Sequence, residues 1–309
     1  MIVTVTINPA MDRTLDIQNL KPYGLNIVNH SILDAGGKGI NVSKTIESLS
    51  GQSIATGFLG GETGAQIKRK LDDMHITHDF VEVKGETRTN IKVYDKESQL
   101  TTELNEIGPE VTLDDLERLM TKLKNLISKD QMVVLSGSVP KSLPRDTYRR
   151  LIECVHGQGG IAFLDASGDV FEQALSAKPD YIKPNRHELE MYMGKVLTTD
   201  SDFISAGKHF LEMGIRSVLF SLGEEGAYYI DRENAFRLLP LKVEAHSTVG
   251  AGDAFVGAFA YGIDSSQELS ECLKLAVATS AGAVTTLGTK PVDHKWVMSH
   301  LEHVEIRML

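Results

Sequence analysis

The residues with the clearest chemical potential lie in the turn Gly250-Ala251-Gly252-Asp253, near the C-terminal end of the sequence. The small and apolar stretch from Ala254 to Tyr261 that follows is typical of a helix. A glycine turn at a helix start presents unpaired N–H groups and the positive end of the helix dipole, which favour a phosphate. Asp253 would repel that phosphate, but it is well placed to accept a proton from an attacking hydroxyl. We therefore predict a phosphate-binding turn with a general base; the alternative is a tight turn that Asp253 merely caps.

A second glycine-rich segment, AGGKGINV at 35–42, lies in the N-terminal part of the sequence. Three glycines in four positions allow the backbone to approach a ligand closely, and Lys38 adds a cation beside it. A helix starting near Ile40 would point its N-terminus at the same place. A glycine turn before a helix is also common for purely structural reasons, so this segment alone leaves both interpretations open.

Two familiar nucleotide-binding patterns are missing, since the sequence contains neither G-x-x-x-x-G-K-[ST] nor G-x-G-x-x-G. The GAGD turn and the GGKG segment instead resemble the two signatures of the ribokinase-like, or PfkB, carbohydrate kinases. The similarity extends over essentially the whole chain. It implies ATP as co-substrate and Mg²⁺ as cofactor, with sugar hydroxyls held by Asp12, Gly37, Gly39 and Asn41.

The segment Lys183-Pro184-Asn185-Arg186-His187-Glu188 follows a short apolar strand and precedes a helical stretch. It resembles the N-x-x-E element of the same family, which implies that Lys183 and Asn185 face ATP and that Glu188 organises Mg²⁺. One carboxylate beside an anion site suits Mg²⁺, which prefers carboxylates, water and phosphate oxygens. The same spacing is also a helix capping box, and the pattern alone favours the cap.

The turn Ser221-Leu222-Gly223-Glu224-Glu225-Gly226 joins two apolar strands. A hairpin with two glycines needs no ligand. The family resemblance implies that Ser221, Gly223 and Gly226 line the ATP phosphates and ribose.

Two further residues point to a sugar that already carries a phosphate. Arg88 in the run T-R-T-N could pair bidentately with a phosphate, and Ser138 in S-G-S-V-P could add a hydroxyl donor. The two segments together resemble the branch of the family that acts on hexose phosphates, and Lys38 is a third candidate for binding the sugar's phosphate. The resemblance implies a 1-phosphofructokinase activity, with tagatose-6-phosphate kinase as the alternative. A sugar-phosphate or nucleotide sensor on the same fold is a hypothesis of a different class, against which the intact Asp253 argues.

Composition limits the remaining function classes. The chain has 309 residues, 41% hydrophobic and 24% charged, as expected for a globular protein with a sizeable core. Its 32 basic and 42 acidic residues give a net charge of −10, which opposes binding to nucleic acid or to acidic membranes. No apolar run approaches a membrane span and no signal peptide is apparent, so we expect a cytoplasmic protein.

Strand-like and amphipathic stretches alternate along most of the chain, for example Ile54 to Leu59 followed by Ala65 to Met74. This alternation predicts an α/β fold with a central, mostly parallel sheet flanked by helices, in one ribokinase-like domain. The ranges 11–28 and 86–106 break the alternation and would form a small β-lid. An uncovered small sheet is costly, so we expect a homodimer in which lids pair through Glu86 to Glu106.

Overall fold

The computed structural model describes residues 1–286 and 288–309, which form a large β-sheet flanked by helices and a second, smaller β-sheet. The strands are β1 (Ile2–Thr6), β2 (Ala10–Ile17), β3 (His30–Gly36), β4 (Ser53–Leu59), β5 (Thr77–His78), β6 (Val81–Glu82), β7 (Arg88–Asp95), β8 (Leu100–Asn105), β9 (Met132–Ser136), β10 (Ile161–Asp165), β11 (Tyr181–Ile182), β12 (Ser217–Ser221), β13 (Ala227–Ile230), β14 (Ala235–Leu238) and β15 (Ile306–Met308). The α-helices are α1 (Lys38–Ser48), α2 (Gly61–Asp73), α3 (Leu113–Leu126), α4 (Thr147–Gly157), α5 (Asp169–Leu175), α6 (Arg186–Met193), α7 (Asp200–Glu212), α8 (Ala251–Asp264), α9 (Leu269–Ala283) and α10 (His294–His300).

The large sheet has the strand order β15-β14-β13-β12-β11-β10-β9-β1-β4-β5, with β6 paired to β4. Pairing is parallel from β12 through to β5 and antiparallel between β12 and β15. Strands β1 and β9 are buried along their whole length because helices cover both faces. Alternate side chains enter different cores: Val3 and Val5 pack on one face, and Ile2 packs on the other. The predicted α/β fold with a mostly parallel sheet is confirmed.

The central parallel strands end together at one edge of the large sheet. Thr6 and Asp165 are both in register with Ser136, and Leu164 pairs with Ile182 on the next strand. In open α/β sheets ligands bind in the crevice at the carboxyl ends of the strands. The loops that follow β1, β9, β10 and β11 therefore start at the same edge, and they include the predicted segments that contain Ser138, after β9, and Lys183, after β11.

The second sheet comprises β2, β3, β7 and β8 in the order β3-β2-β7-β8. Strand β3 lies outside the two ranges for which strands are predicted, and residues 18–28 form a loop rather than a strand. Asp12 faces Asp34 on one side and Asn90 on the other, so these polar residues share one face of the sheet. The second sheet thus presents a polar face next to the carboxyl edge of the large sheet.

Within the described part of the chain, no helix combines the length and the apolar character that crossing a bilayer requires.

Candidate active site

The predicted phosphate-binding turn, Gly250 to Asp253, forms the N-terminus of helix α8, and we call it the anion turn. Gly250 caps the helix in the left-handed region, with φ of 84°, a conformation that glycine adopts without strain. The helix then begins at Ala251, so the N–H groups of Gly252 and Asp253 lie in its first turn, where no carbonyl oxygen of the helix is available to accept their hydrogen bonds. The N–H of Ala251 donates to the Thr248 carbonyl over a long 3.4 Å. The turn therefore offers backbone donors and the positive helix end to an anion.

Asp253 lies at the bottom of this turn, with only 7% of its surface exposed. Its Oδ2 accepts a hydrogen bond of 2.8 Å from Asn41 Nδ2 of helix α1. Burial and the nearby Asp165 carboxylate raise the pKa of Asp253 to about 6, although Lys38, Asn41 and Lys183 act in the opposite direction. A carboxylate with this pKa is ionised at neutral pH and still basic enough to accept a proton. Asn41 thus contacts the predicted base directly, in addition to its expected contact with a sugar.

Asp165 was not predicted as a site residue, yet it joins the two lysines of the site. It ends strand β10, is 1% exposed, and its Oδ1 lies 3.2 Å from Lys38 Nζ and 3.4 Å from Lys183 Nζ. Burial opposes ionisation of Asp165, but Lys183 and Lys38 outweigh it and hold the pKa of Asp165 below its usual value. In turn, Asp165 raises the pKa of Lys38. The three charges form a network around the buried Asp165 carboxylate, which holds both ammonium groups in position.

Lys183 also connects this network to the anion turn. A Cβ built on Gly252 would lie 3.5 Å from Lys183 Nζ, so the ammonium is packed against the first turn of α8. A phosphoryl group bound at that helix end would therefore meet backbone N–H groups and a lysine together.

The predicted sugar-binding residues line the polar face of the second sheet and the start of α1. Asp12 accepts hydrogen bonds from Asn90 Nδ2 at 3.0 Å and from Lys92 Nζ at 3.4 Å. Gly37 and Gly39 pack on strand β1, because a Cβ at either position would come within 2.7 Å of the Thr6 side chain. These two glycines are thus required by close packing whether or not a sugar also contacts their backbone.

Arg88 is held by the backbone of neighbouring loops. Its guanidinium donates to the carbonyl oxygens of Asn8 at 3.0 Å, Pro9 at 3.3 Å and Glu106 at 3.4 Å. Three of its five N–H groups are used in this way, which leaves two for a ligand. Asn8 Nδ2 also donates to Ser138 Oγ at 3.0 Å. Asn8 therefore brings the two predicted phosphate ligands, Arg88 and Ser138, to one place.

Asn185 and Glu188 form a capping box at the N-terminus of helix α6. The Glu188 backbone N–H donates to Asn185 Oδ1 at 2.9 Å, and the Asn185 N–H donates to Glu188 Oε2 at 2.8 Å. Glu188 also contributes to the raised pKa of Lys38, so its carboxylate faces the same charged network. The capping interpretation is thus observed, and Glu188 Oε1 is outside the reciprocal pair.

The Ser221 turn adjoins this element, since Ser221 forms a β-bridge with Asn185. Gly226 has φ of 91°, and a Cβ there would lie 2.1 Å from the Leu238 carbonyl, so packing alone requires this glycine. Gly223 has φ of 59° and faces open space. Of the turn glycines, Gly223 is therefore the one with room for a ligand.

Comparison with known proteins decides the family. The sequence model of the pfkB family carbohydrate kinases matches residues 6–295. This chain belongs to the pfkB family of carbohydrate kinases. It is similar to the 1-phosphofructokinase of Bacillus subtilis, with 34% identity over 309 residues and all of both chains covered. It also resembles the 1-phosphofructokinase of Borreliella burgdorferi, with 36% identity over 288 residues, 93% of this chain and 92% of the relative.

Solved structures agree with this membership. Phosphofructokinase-2 from Escherichia coli, solved in complex with substrates and products, has a TM-score of 0.92 and 29% identity, covering 98% of both chains. The same protein in complex with fructose-6-phosphate has a TM-score of 0.89 and 28% identity, again covering 98% of both chains. The family predicted from the two glycine-rich segments is confirmed, and with it phosphoryl transfer from ATP to a carbohydrate.

For this pfkB kinase, the structure brings the predicted residues into two neighbouring groups. In the first group, Lys38 and Lys183 pair with Asp165, Lys183 packs against Gly252, and Asn41 binds Asp253. In the second group, Arg88 and Ser138 meet at Asn8. This group adjoins the charged network, since the N–H of Gly137, the neighbour of Ser138, donates to the Asp165 carbonyl at 3.1 Å. Among the described residues no three His, Cys, Asp or Glu side chains converge as a metal cage.

Proposed function

We propose that the protein is an ATP-dependent 1-phosphofructokinase, which converts fructose 1-phosphate and ATP to fructose 1,6-bisphosphate and ADP. The observation that carries this proposal is the buried Asp253 at the start of α8, with its raised pKa and two lysines nearby. The curated relatives named above support the choice of fructose 1-phosphate, because both are named 1-phosphofructokinase over nearly the whole length of this chain.

In the proposed mechanism, Asp253 accepts the proton of the C6 hydroxyl as that oxygen attacks the γ-phosphorus of ATP. The N–H groups of Ala251, Gly252 and Asp253 and the positive end of α8 stabilise charge on the transferring phosphoryl group. Lys183 lies against the same helix turn and would hold ATP phosphate oxygens. Because Asn41 holds Asp253 and Asp165 holds Lys183, little reorganisation is needed during the transfer.

The acceptor sugar would lie between the second sheet and helix α1. Asp12, Asn41 and the backbone at Gly37 and Gly39 would bind its hydroxyls, while Lys38, Arg88 and Ser138 would bind its phosphate. Asn41 Oδ1 is buried without a hydrogen-bond partner among the described residues, which suits a hydroxyl donor from the sugar. We further propose that the second sheet acts as a lid that excludes water, which would otherwise hydrolyse ATP.

We propose that the ATP site is lined by Asn185, Ser221, Gly223 and Gly226. We also propose that Glu188 and the ATP phosphates would hold Mg²⁺. The donor set fits this ion. Glu188 keeps one carboxylate oxygen outside its capping pair, and Mg²⁺ typically uses one or two carboxylates together with phosphates and water. When bound, the ion would neutralise charge on the β- and γ-phosphates.

Replacing Glu188 separates these two roles. Glu188→Gln preserves the capping box, since Gln also serves at this position, so thermal stability should change little. The Mg²⁺ concentration needed for half-maximal activity should rise by about tenfold, because a carboxylate ligand is lost. Asp202→Asn is a matched control, since Asp202 closes a similar capping box on α7. An unchanged Mg²⁺ requirement in Glu188→Gln would contradict the metal role.

The experiment that tests the substrate compares kcat/KM for fructose 1-phosphate, fructose 6-phosphate, tagatose 6-phosphate and the free sugars. We expect fructose 1-phosphate to be the best acceptor. Best activity with tagatose 6-phosphate would favour the alternative kinase, and best activity with a free sugar would overturn the phosphate site. No turnover of ATP with any acceptor would favour a sensor of sugar phosphate or nucleotide.

We also propose that the protein is a homodimer that pairs through the second sheet, using Glu86 to Glu106. The face opposite the polar one exposes Leu33, Leu100 and Leu104 with 42%, 67% and 57% of their surface accessible, and strand β8 is an exposed edge. Light scattering at micromolar concentration should give the dimer mass, and the double substitution Leu100→Lys and Leu104→Glu should give the monomer mass. A monodisperse wild-type monomer would rule out this assembly.

The two cysteines, Cys154 and Cys272, are both buried and free. Such thiols suit a reducing compartment, and we propose the cytoplasm as the site of the reaction.

A further inference from the structure

A buried lysine next to the proposed catalytic residues is not used in the mechanism above. Lys44 lies on helix α1 and is only 2% exposed. Its Nζ is 3.6 Å from Asp34 Oδ1 of strand β3 and donates to Thr289 Oγ1 at 3.3 Å. Thr289 Oγ1 in turn donates to Asp34 Oδ2 at 3.4 Å. One ammonium group thus joins three separate parts of the chain: α1, the second sheet and the segment after α9.

Burying an ammonium group is energetically unfavourable unless charges and hydrogen bonds compensate for the lost water. Burial lowers the pKa of Lys44, while the carboxylates of Asp34, Asp12 and Asp253 oppose that shift. An apolar side chain of the same length would avoid the desolvation. The polar arrangement around Lys44 therefore has a cost that packing between α1 and its neighbours does not require.

Each partner of Lys44 supports one half of the proposed site. A Cβ built on Gly250 would lie 3.6 Å from Thr289 Cγ2, so Thr289 packs against the cap of the anion turn. Asp34 is in register with Asp12, the proposed sugar ligand of the second sheet. Lys44 thus lies between the support of the phosphoryl site and the support of the sugar site.

We infer that Lys44 is a positioning residue for phosphoryl transfer: by binding Asp34 and Thr289 together, it fixes the second sheet relative to the anion turn. The inference rests on the proposed function, because the alignment matters only if an acceptor and a phosphoryl group meet there. Loss of the ammonium would separate the two supports and misalign the reactants, while each substrate would still find its own contacts.

The main test uses Lys44→Met, which keeps the length and removes the charge, and Lys44→Arg, which keeps the charge. We expect Lys44→Met to lower kcat at least ~10-fold, with KM values for both substrates within about threefold, since small misplacements of reactants mainly slow transfer. The matched control is Lys122→Met, which removes a lysine paired with Asp79 far from the site and should leave activity unchanged.

The pH profile distinguishes positioning from a general loss of structure. Asp253 is surrounded by the charges of Asp165, Lys38, Lys183 and Lys44. Removing one cation raises the pKa of a nearby carboxyl group, so the acid limb of kcat/KM should move to higher pH in Lys44→Met. It should stay in place in Lys44→Arg. Wild-type kcat and an unmoved acid limb in a folded Lys44→Met enzyme would overturn the inference.

A measurement without substrates keeps the inference separate from the proposed function. Hydrogen exchange should become faster in Lys44→Met both in strand β3 and in residues 288–293, and in neither segment of Lys122→Met. If Lys44→Met fails to fold, Thr289→Val removes the hydroxyl alone and should show the faster exchange at 288–293 and a smaller fall in kcat. Unchanged exchange in both segments would refute the coupling. A wild-type protein that phosphorylates no sugar, with coupled exchange intact, would refute the proposed function alone.

Discussion

Asp253→Asn should reduce turnover by at least ~10²-fold, the usual scale for loss of a general base. Asparagine has nearly the shape of aspartate and retains an oxygen that accepts the hydrogen bond from Asn41 Nδ2. Binding of the sugar phosphate should therefore survive within a small factor, so the loss should appear in kcat. Steady-state kinetics with saturating ATP would measure it, and near-normal turnover would end the proposal that Asp253 is the base.

The pH dependence follows from the same residue. Because burial and Asp165 raise the pKa of Asp253 to about 6, kcat/KM of the wild type should fall as pH drops through that value. The residual activity of Asp253→Asn should lack this fall at acid pH, which forms the acid limb of the pH profile. A matched control is Asp264→Asn at the other end of α8, where the carboxylate pairs with the N-terminus of the chain, and the limb should persist there.

Ionisation of Asp253 affects stability and activity in opposite directions. A carboxyl group whose folded pKa is raised contributes stability below its unfolded pKa, and that contribution is lost as pH rises through the folded value. At pH 7 to 8 the ionised Asp253 therefore destabilises the wild type. Asp253→Asn should unfold at a higher temperature than the wild type at pH 8, with a difference that shrinks as pH approaches 4. A lower unfolding temperature at pH 8 would indicate that the carboxylate has a structural role.

The general fold could be predicted because its signals are local. Continuously apolar strands such as Met132–Ser136 alternate with amphipathic helices, and that alternation indicates a parallel sheet covered on both faces. Strand β3 was not predicted, since its sequence HSILDAG has no regular apolar alternation and it is mostly exposed until its last two residues. It becomes a strand because β2 pairs with it over seven residues.

The site was predictable where glycines and charges occur together in the sequence. Asp253 and Lys38 are both marked by adjacent glycines, which indicate close approach of a ligand to the backbone. Asp165 has no such marker, since it stands at the end of an apolar strand and meets Lys38 across 127 positions. The rule that parallel strands end at one edge could have suggested it. Lys44 had no local signal, because its partners Asp34 and Thr289 come from distant segments.

The second large effect concerns Arg88, for which the structure offers two roles. Arg88→Ala should weaken binding of the sugar phosphate by about 2–3 kcal/mol, or roughly 30- to 150-fold, if a charge-assisted phosphate contact is lost. The guanidinium also ties strand β7 to the carbonyls of Asn8 and Pro9, so its truncation could instead disturb the second sheet. In both cases the KM for ATP should scarcely change, because Arg88 lies on the sugar side of the charged network.

A phosphate-free acceptor separates the two roles of Arg88. If the guanidinium binds the sugar's phosphate, Arg88→Ala should lower kcat/KM for fructose 1-phosphate by the full factor and leave the weak activity with free fructose nearly unchanged. If it only holds the second sheet, activity with both acceptors should fall in the same proportion.

Ser138→Ala is the matched comparison, since Ser138 meets Arg88 through Asn8 but donates no hydrogen bond to the second sheet. The loss of binding free energy in Ser138→Ala should be smaller, about 0.5–1.5 kcal/mol for a neutral hydrogen bond, and also confined to the phosphorylated sugar. Equal losses with and without the phosphate in both variants would show that neither residue recognises the phosphate.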